Sequence, residues 1–234
     1  MRIIKLLFIF ISLLLLSFNL FGQTGLAISS VLLASSPMVL MFTMQITSNR
    51  RSRLIGNYTF HPALKSKLKE KHTNLTEHQI GLVFKALRDY FQICAKADGR
   101  MVSMPSQVVD DAWHDFILFT KDYEVFCKKA FGKYLHHTPA EAMASPSDAS
   151  EGIKRAWRLA CIKEKIMPGK AENMPLLFAI DALLAIPNGF TYQLKCAPES
   201  GSGGFCASDI GCSSGCAGGC GGGDGCGGGC GGGD

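Results

Sequence analysis

Two stretches of this 234-residue chain carry side chains that could hold a metal or move a proton. Near the middle, Asp110 and His114 stand four residues apart in Val109-Asp110-Asp111-Ala112-Trp113-His114, and His136 and His137 follow Gly132. On a helix, residues i and i+4 share a face, so the carboxylate can fix the tautomer of the imidazole or join it on a cation. Folding back one of the two later histidines would complete three N/O ligands, a set that suits Zn²⁺ with a fourth position open. The same residues also fit a plainer role. An imidazole at the edge of an apolar stripe, beside Trp113 and one turn after an acid, can be a hydrogen-bonded packing group and nothing more. General acid–base catalysis has less behind it, since neither a serine elbow nor a Cys/His pair in a recognised context accompanies these residues.

The second stretch is the C-terminal tail. Cys206, Cys212, Cys216, Cys220, Cys226 and Cys230 recur there, and Cys-Gly-Gly-Gly appears at Cys220, Cys226 and Cys230. Thiolates on a glycine backbone can converge on soft or borderline ions such as Cu(I) or Zn²⁺. The spacing is not that of a zinc ribbon, so such binding would resemble that of a metallothionein. Disulfides, enzymatic ring formation or lipidation of the Gly-Cys runs, and a passive low-complexity spacer are the other accounts of these thiols. Phe205 and Ile210 are the only large apolar residues after Pro198, too few to offset the entropy of ordering so much glycine. The reading is a disordered tail over 198–234.

The elements that must position the central cluster read as helices. Pro62 fits the first turn of a helix to about Lys71, and Thr76 caps a longer one to about Ala97, stopped by Asp98-Gly99. Ser106 caps a helix that the apolar stripe Val109, Ala112, Trp113, Phe116, Thr120, Tyr123, Cys127 and Ala130 carries to about Phe131. Asp111, Asp115, Lys121 and Asp122 fall mostly on its opposite, polar face, and Cys127 lies well around the axis from His114. Glu151–Lys165 and Met174–Ile186 complete about five helices, with Gly189–Leu194 as a short strand or extended segment. Trp113, Trp157, Cys94 and Cys161 read as core. The expectation is an all-α globular domain over 54–197.

Ahead of it, residues 1–46 hold 30 hydrophobic residues and only two charges, Arg2 and Lys5. Runs 3–21 and 26–46 are long enough to cross ~30 Å of hydrocarbon. They form a transmembrane helix or helical hairpin in a membrane anchor over 1–53. Arg50, Arg51 and Arg53 follow, and such basic flanks hold downstream sequence on the cytoplasmic side of the inner (cell) membrane. Alternatively the first run is a signal peptide or sole anchor. Residues 65–71 add four lysines, which can grip anionic headgroups or form a solvated helix face. The net charge of +5 lies at these membrane flanks, so no nucleic-acid partner is expected.

Val109–His114, with Phe116-Ile117-Leu118, Thr120, Tyr123, Phe126-Cys127, Phe131-Gly132 and Leu135-His136-His137-Thr138-Pro139, resembles the glycine-rich domain protein-like family. The resemblance is to its short bacterial members with an N-terminal membrane segment, and it extends loosely over 53–196 and to the Gly/Cys tail. Where plant relatives read Trp-His-x-His, the second histidine is Phe116 here. The resemblance implies this layout and no activity. Together these readings describe a membrane-anchored helical domain with a thiol-rich tail, a metal-binding or protein-interaction module whose partners are the bilayer and a protein. The alternative is a metal-dependent enzyme centred on Asp110, His114, His136 and His137.

Overall fold

In the computed structural model the described residues are 12, 37–138, 146–194 and 205–206, and the chain divides into two units after Arg50. Residues 37–56 are helical (α1). The stretch 37–50 is exposed throughout, including the large apolar residues Met38, Leu40, Met41, Phe42 and Met44. Among the described residues no helix is long and apolar enough to cross a membrane. The apolar stretch of α1 runs into Thr47, Ser48, Asn49 and Arg50, which end it within three turns. Residue 12 apart, the first expected span lies outside the described residues, as do residues 26–36 of the second.

The second unit is all-α, as expected: α2 (Pro62–Lys71), α3 (Glu77–Lys96), α4 (Gln107–Leu118), α5 (Thr120–Ala130), α6 (Pro146–Glu164) and α7 (Leu176–Leu183). Local chemistry sets most starts. Pro62 opens α2 behind His61, whose Nδ1 accepts from the Ala63 amide. Thr76 and Gln79 form a reciprocal capping box on α3, and Ser106 accepts from the Val109 amide at the head of α4. Asp98 and Gly99, both at positive φ, turn the chain away after α3.

The single helix expected over 106–131 is in fact two. Phe119 leaves helical geometry at φ −82°, ψ 60°, and its amide bonds the Phe116 carbonyl. The apolar stripe continues across the break, so periodicity alone does not reveal it. Packing supplies the reason. On one straight helix Phe116 and Tyr123 would be separated by ~10 Å along the axis. Here their rings meet edge to face with centroids 5.2 Å apart. Phe116 also meets Phe126, and Phe91 of α3 packs on Trp113, Phe116, Phe126 and Phe131.

Three buried carboxylates tie the helices. Asp111 of α4 accepts from Lys71 and, at 2.8 Å, from His72 at the end of α2. It therefore does not lie on the solvent face assigned to it by helical spacing, because α2 packs over that side of α4. Asp89 of α3 pairs with Lys163 of α6 at 2.7 Å and with Lys85 at 3.2 Å. Asp181 of α7 accepts from Ser106 Oγ at 2.7 Å, from the Gln107 amide at 2.6 Å and from the Phe190 amide at 2.9 Å. It thus reinforces the Ser106 cap with a negative charge at the positive end of α4. Trp157 is wholly buried against Phe178, and Trp113 is buried as well, as expected. The extended segment after Gly189 contains Tyr192–Gln193, which pairs in parallel with Phe205–Cys206. That short ladder brings the first tail cysteine, Cys206, into regular backbone pairing.

Candidate metal centre

The capped start of α4 sets the phase of its helix and with it the pair Asp110 and His114. His114 Nε2 lies 3.8 Å from Asp110 Oδ2. The third member comes from the non-helical segment after α5. His137 Nε2 lies 3.0 Å from Asp110 Oδ1, and the rings of His114 and His137 have centroids 4.3 Å apart. One donor atom from each of Asp110, His114 and His137 falls within 4.8 Å of the other two. Metal–ligand bonds of ~2.0–2.1 Å at tetrahedral angles space donors ~3.4 Å apart, so side chains whose donor atoms already lie within 4.8 Å need move little to meet on Zn²⁺. The same two-His, one-carboxylate set with open positions also accommodates Fe²⁺.

Exposure gives the cluster a direction. The side chain of His137 is 15% exposed and that of Asp110 20%, whereas that of His114 is 49% exposed. The cluster is therefore open to solvent on the His114 side and covered on the His137 side.

His136, the other histidine considered for the site, is exposed and rests on the Tyr134 ring at 4.9 Å, outside the cluster. Adjacent residues of an extended segment point oppositely, so only one of the pair can face α4. Cys127 is buried beside the Leu135 backbone and the Tyr123 hydroxyl, and burial pushes its thiol up, which leaves it a protonated core residue. Burial likewise pushes Cys94 up to about 12 and Cys161 up to about 11. Of the tail ligands, Cys206 is described only through its backbone pairing, and Cys212, Cys216, Cys220, Cys226 and Cys230 lie outside the described residues.

The supports beneath the cluster leave no signal in residue spacing. Trp113 Nε1 donates to the Tyr123 hydroxyl at 3.0 Å, and that hydroxyl donates to the Leu135 carbonyl at 2.5 Å. Burial raises the Tyr123 phenol, which keeps it a donor. The Trp113 ring also stands edge to face with His137, centroids 4.6 Å apart. Ten residues along a straight helix span ~15 Å, so the break at Phe119 is what lets Trp113 and Tyr123 bond. The pairing of Asp111 with His72 leaves none either, because nothing local links α2 to α4.

The molecule is thus an all-α domain with a histidine–carboxylate cluster on one helix, closed by a histidine from the following segment. The profile of the family described as UCP032817-like matches residues 50–210, more than half of the chain, and the protein belongs to that family. This corrects the expected membership of the glycine-rich domain protein-like family: the stretch that carried the resemblance, Val109–Pro139, lies inside the matched span. No curated protein and no solved structure matches the chain.

Proposed function

We propose that this protein is a membrane-held metal-binding module whose helical domain takes one divalent ion, Zn²⁺ foremost, on Asp110, His114 and His137. The observation that carries the reading is the convergence of three donor atoms within 4.8 Å from residues up to 27 positions apart. Such convergence goes beyond what an i, i+4 pair supplies on its own. With one carboxylate and two neutral imidazoles the occupied site has net charge of about +1, low enough to be stable at a half-exposed position.

The membrane part of the reading rests on the apolar runs 3–21 and 26–46, the exposed apolar residues of α1 and the arginines at 50, 51 and 53. Cations behind an apolar segment favour the cytoplasmic side, which supports a reading with the domain and tail on that side of the inner membrane. In that reducing compartment the tail cysteines remain thiols that gather soft ions such as Cu(I) or Zn²⁺. The half-exposed His114 favours a second reading: open positions on the ion admit water or a substrate, as in metal-dependent enzymes.

The test uses the full chain, purified in detergent, with zinc measured per polypeptide. One ion survives replacement of the six tail cysteines by serine and is lost in His114→Ala and in His137→Ala. Zinc that follows the cysteines and ignores both histidines would refute the site.

A further inference from the structure

His137 belongs to no helix, yet a third ligand must be held nearly as firmly as the two on α4 if the site is to bind with useful affinity. We propose that Tyr123 and Trp113 are positioning residues that set where His137 stands, an inference that rests on the metal-site reading above. The contacts form a closed circuit. Trp113, next to His114 on α4, donates its indole N–H to the Tyr123 hydroxyl on α5 at 3.0 Å. The hydroxyl donates onward to the carbonyl of Leu135 at 2.5 Å, two residues before His137. The His137 ring then returns to the starting helix, edge to face on Trp113 at 4.6 Å and 3.0 Å from Asp110 Oδ1.

Each link has a separate job. The indole N–H fills an acceptor lone pair of the hydroxyl and leaves its one proton for the Leu135 carbonyl at 2.5 Å, with the Cys127 thiol as a further neighbour of the hydroxyl. Fixing the Leu135 carbonyl fixes the peptide path that presents His136 outwards and His137 inwards. The Trp113 edge then limits rotation of the imidazole. Tyr123→Phe keeps the buried ring and removes only the hydroxyl, which takes the donor from the Leu135 carbonyl, the acceptor from the indole and a partner from the Cys127 thiol. Removal of an outer-shell partner of a ligating histidine typically costs ~10–100-fold in metal affinity.

The experiment titrates the full chain, its six tail cysteines replaced by serine so that only the helical domain can bind, with Co²⁺, whose visible ligand-field bands report ligand number and geometry. Tyr123→Phe is expected to weaken Co²⁺ binding by ~10–100-fold and to shift and weaken those bands at saturation as water replaces His137. His136→Ala, altered one residue away but outside the cluster, keeps wild-type affinity and bands. Should Tyr123→Phe not fold, Trp113→Phe carries the same test, since it spares the phenol and deletes the donor that orients it. Wild-type affinity together with wild-type bands in the phenylalanine variant overturns the positioning role and leaves the metal site standing. If the chain with the serine tail and no other change takes up no cobalt, the metal site is overturned, and the positioning role falls with it.

Discussion

Asp110 Oδ1 and His137 Nε2 lie 3.0 Å apart although 27 residues and a helix break separate them. The contact joins the first turn of α4 to the segment that leaves α5, and it places a carboxylate where it can either accept from the imidazole or share an ion with it. The next residue along, Asp111, faces the other way and is spent on Lys71 and His72. Two neighbouring acids, about 100° apart around one helix, therefore serve different ends.

That division gives the sharpest mutational contrast. With the six tail cysteines replaced by serine, Asp110→Asn should abolish zinc binding and change the urea midpoint little, because its carboxylate is partly exposed and, among the described residues, its ion-pair partners are His114 and His137. Asp111→Asn should keep zinc and lower stability by about 2 kcal/mol, the scale of lost hydrogen bonds to a buried charge. Zinc content and urea denaturation of the two variants, measured side by side, check both halves. Equal behaviour of the pair would contradict the division.

Asp181 is expected to matter as much to stability as any core residue. Asp181→Ala strands the amides of Gln107 and Phe190 and the Ser106 hydroxyl, for a loss of about 3 kcal/mol. Gly189→Ala reaches the same contact from the other side, since an added Cβ would stand 2.8 Å from Asp181 Cβ, and it should cost about 1–3 kcal/mol. Chemical denaturation reads both. A midpoint unchanged in either variant would mean that the α7–α4 tie is not as drawn.

Alkaline pH should weaken the fold through its thiols. Cys94 is pushed up to about 12 and Cys161 up to about 11, against about 8.5 in an unfolded chain. Above that lower value the unfolded chain releases these protons and the native one holds them, so stability falls as pH rises from about 8.5 through the folded values. Urea midpoints followed upward from about pH 8 should drop steadily, and Cys94→Ala should flatten the slope. Slopes that match in the two proteins would show that the Cys94 thiol is not buried in its protonated form.

Membrane sidedness has its own readout. A membrane-impermeant maleimide applied to intact cells should leave the six tail cysteines unlabelled and should label them once the cells are broken. Labelling in intact cells would place the tail outside, where disulfides, in place of bound metal, would be the expected state of the thiols.

The proline start of α2, the caps of α3 and α4, the stop at Asp98-Gly99 and the pairing of Asp110 with His114 were all legible in the chain, because each involves residues no more than four apart. The core assignments of Trp113 and Trp157 were legible from helical periodicity. The break at Phe119 was not, since the apolar stripe continues through it and only ring packing calls for the bend. The selection of His137 over His136, the burial of Asp111 and the cap from Asp181 escaped for one physical reason. Each is settled by a partner 27 to 75 residues away. A chain's own spacing encodes what its neighbouring atoms can bond. Which side of a helix meets water, and which of two adjacent histidines turns inward, is decided only when distant helices compete for the same surface.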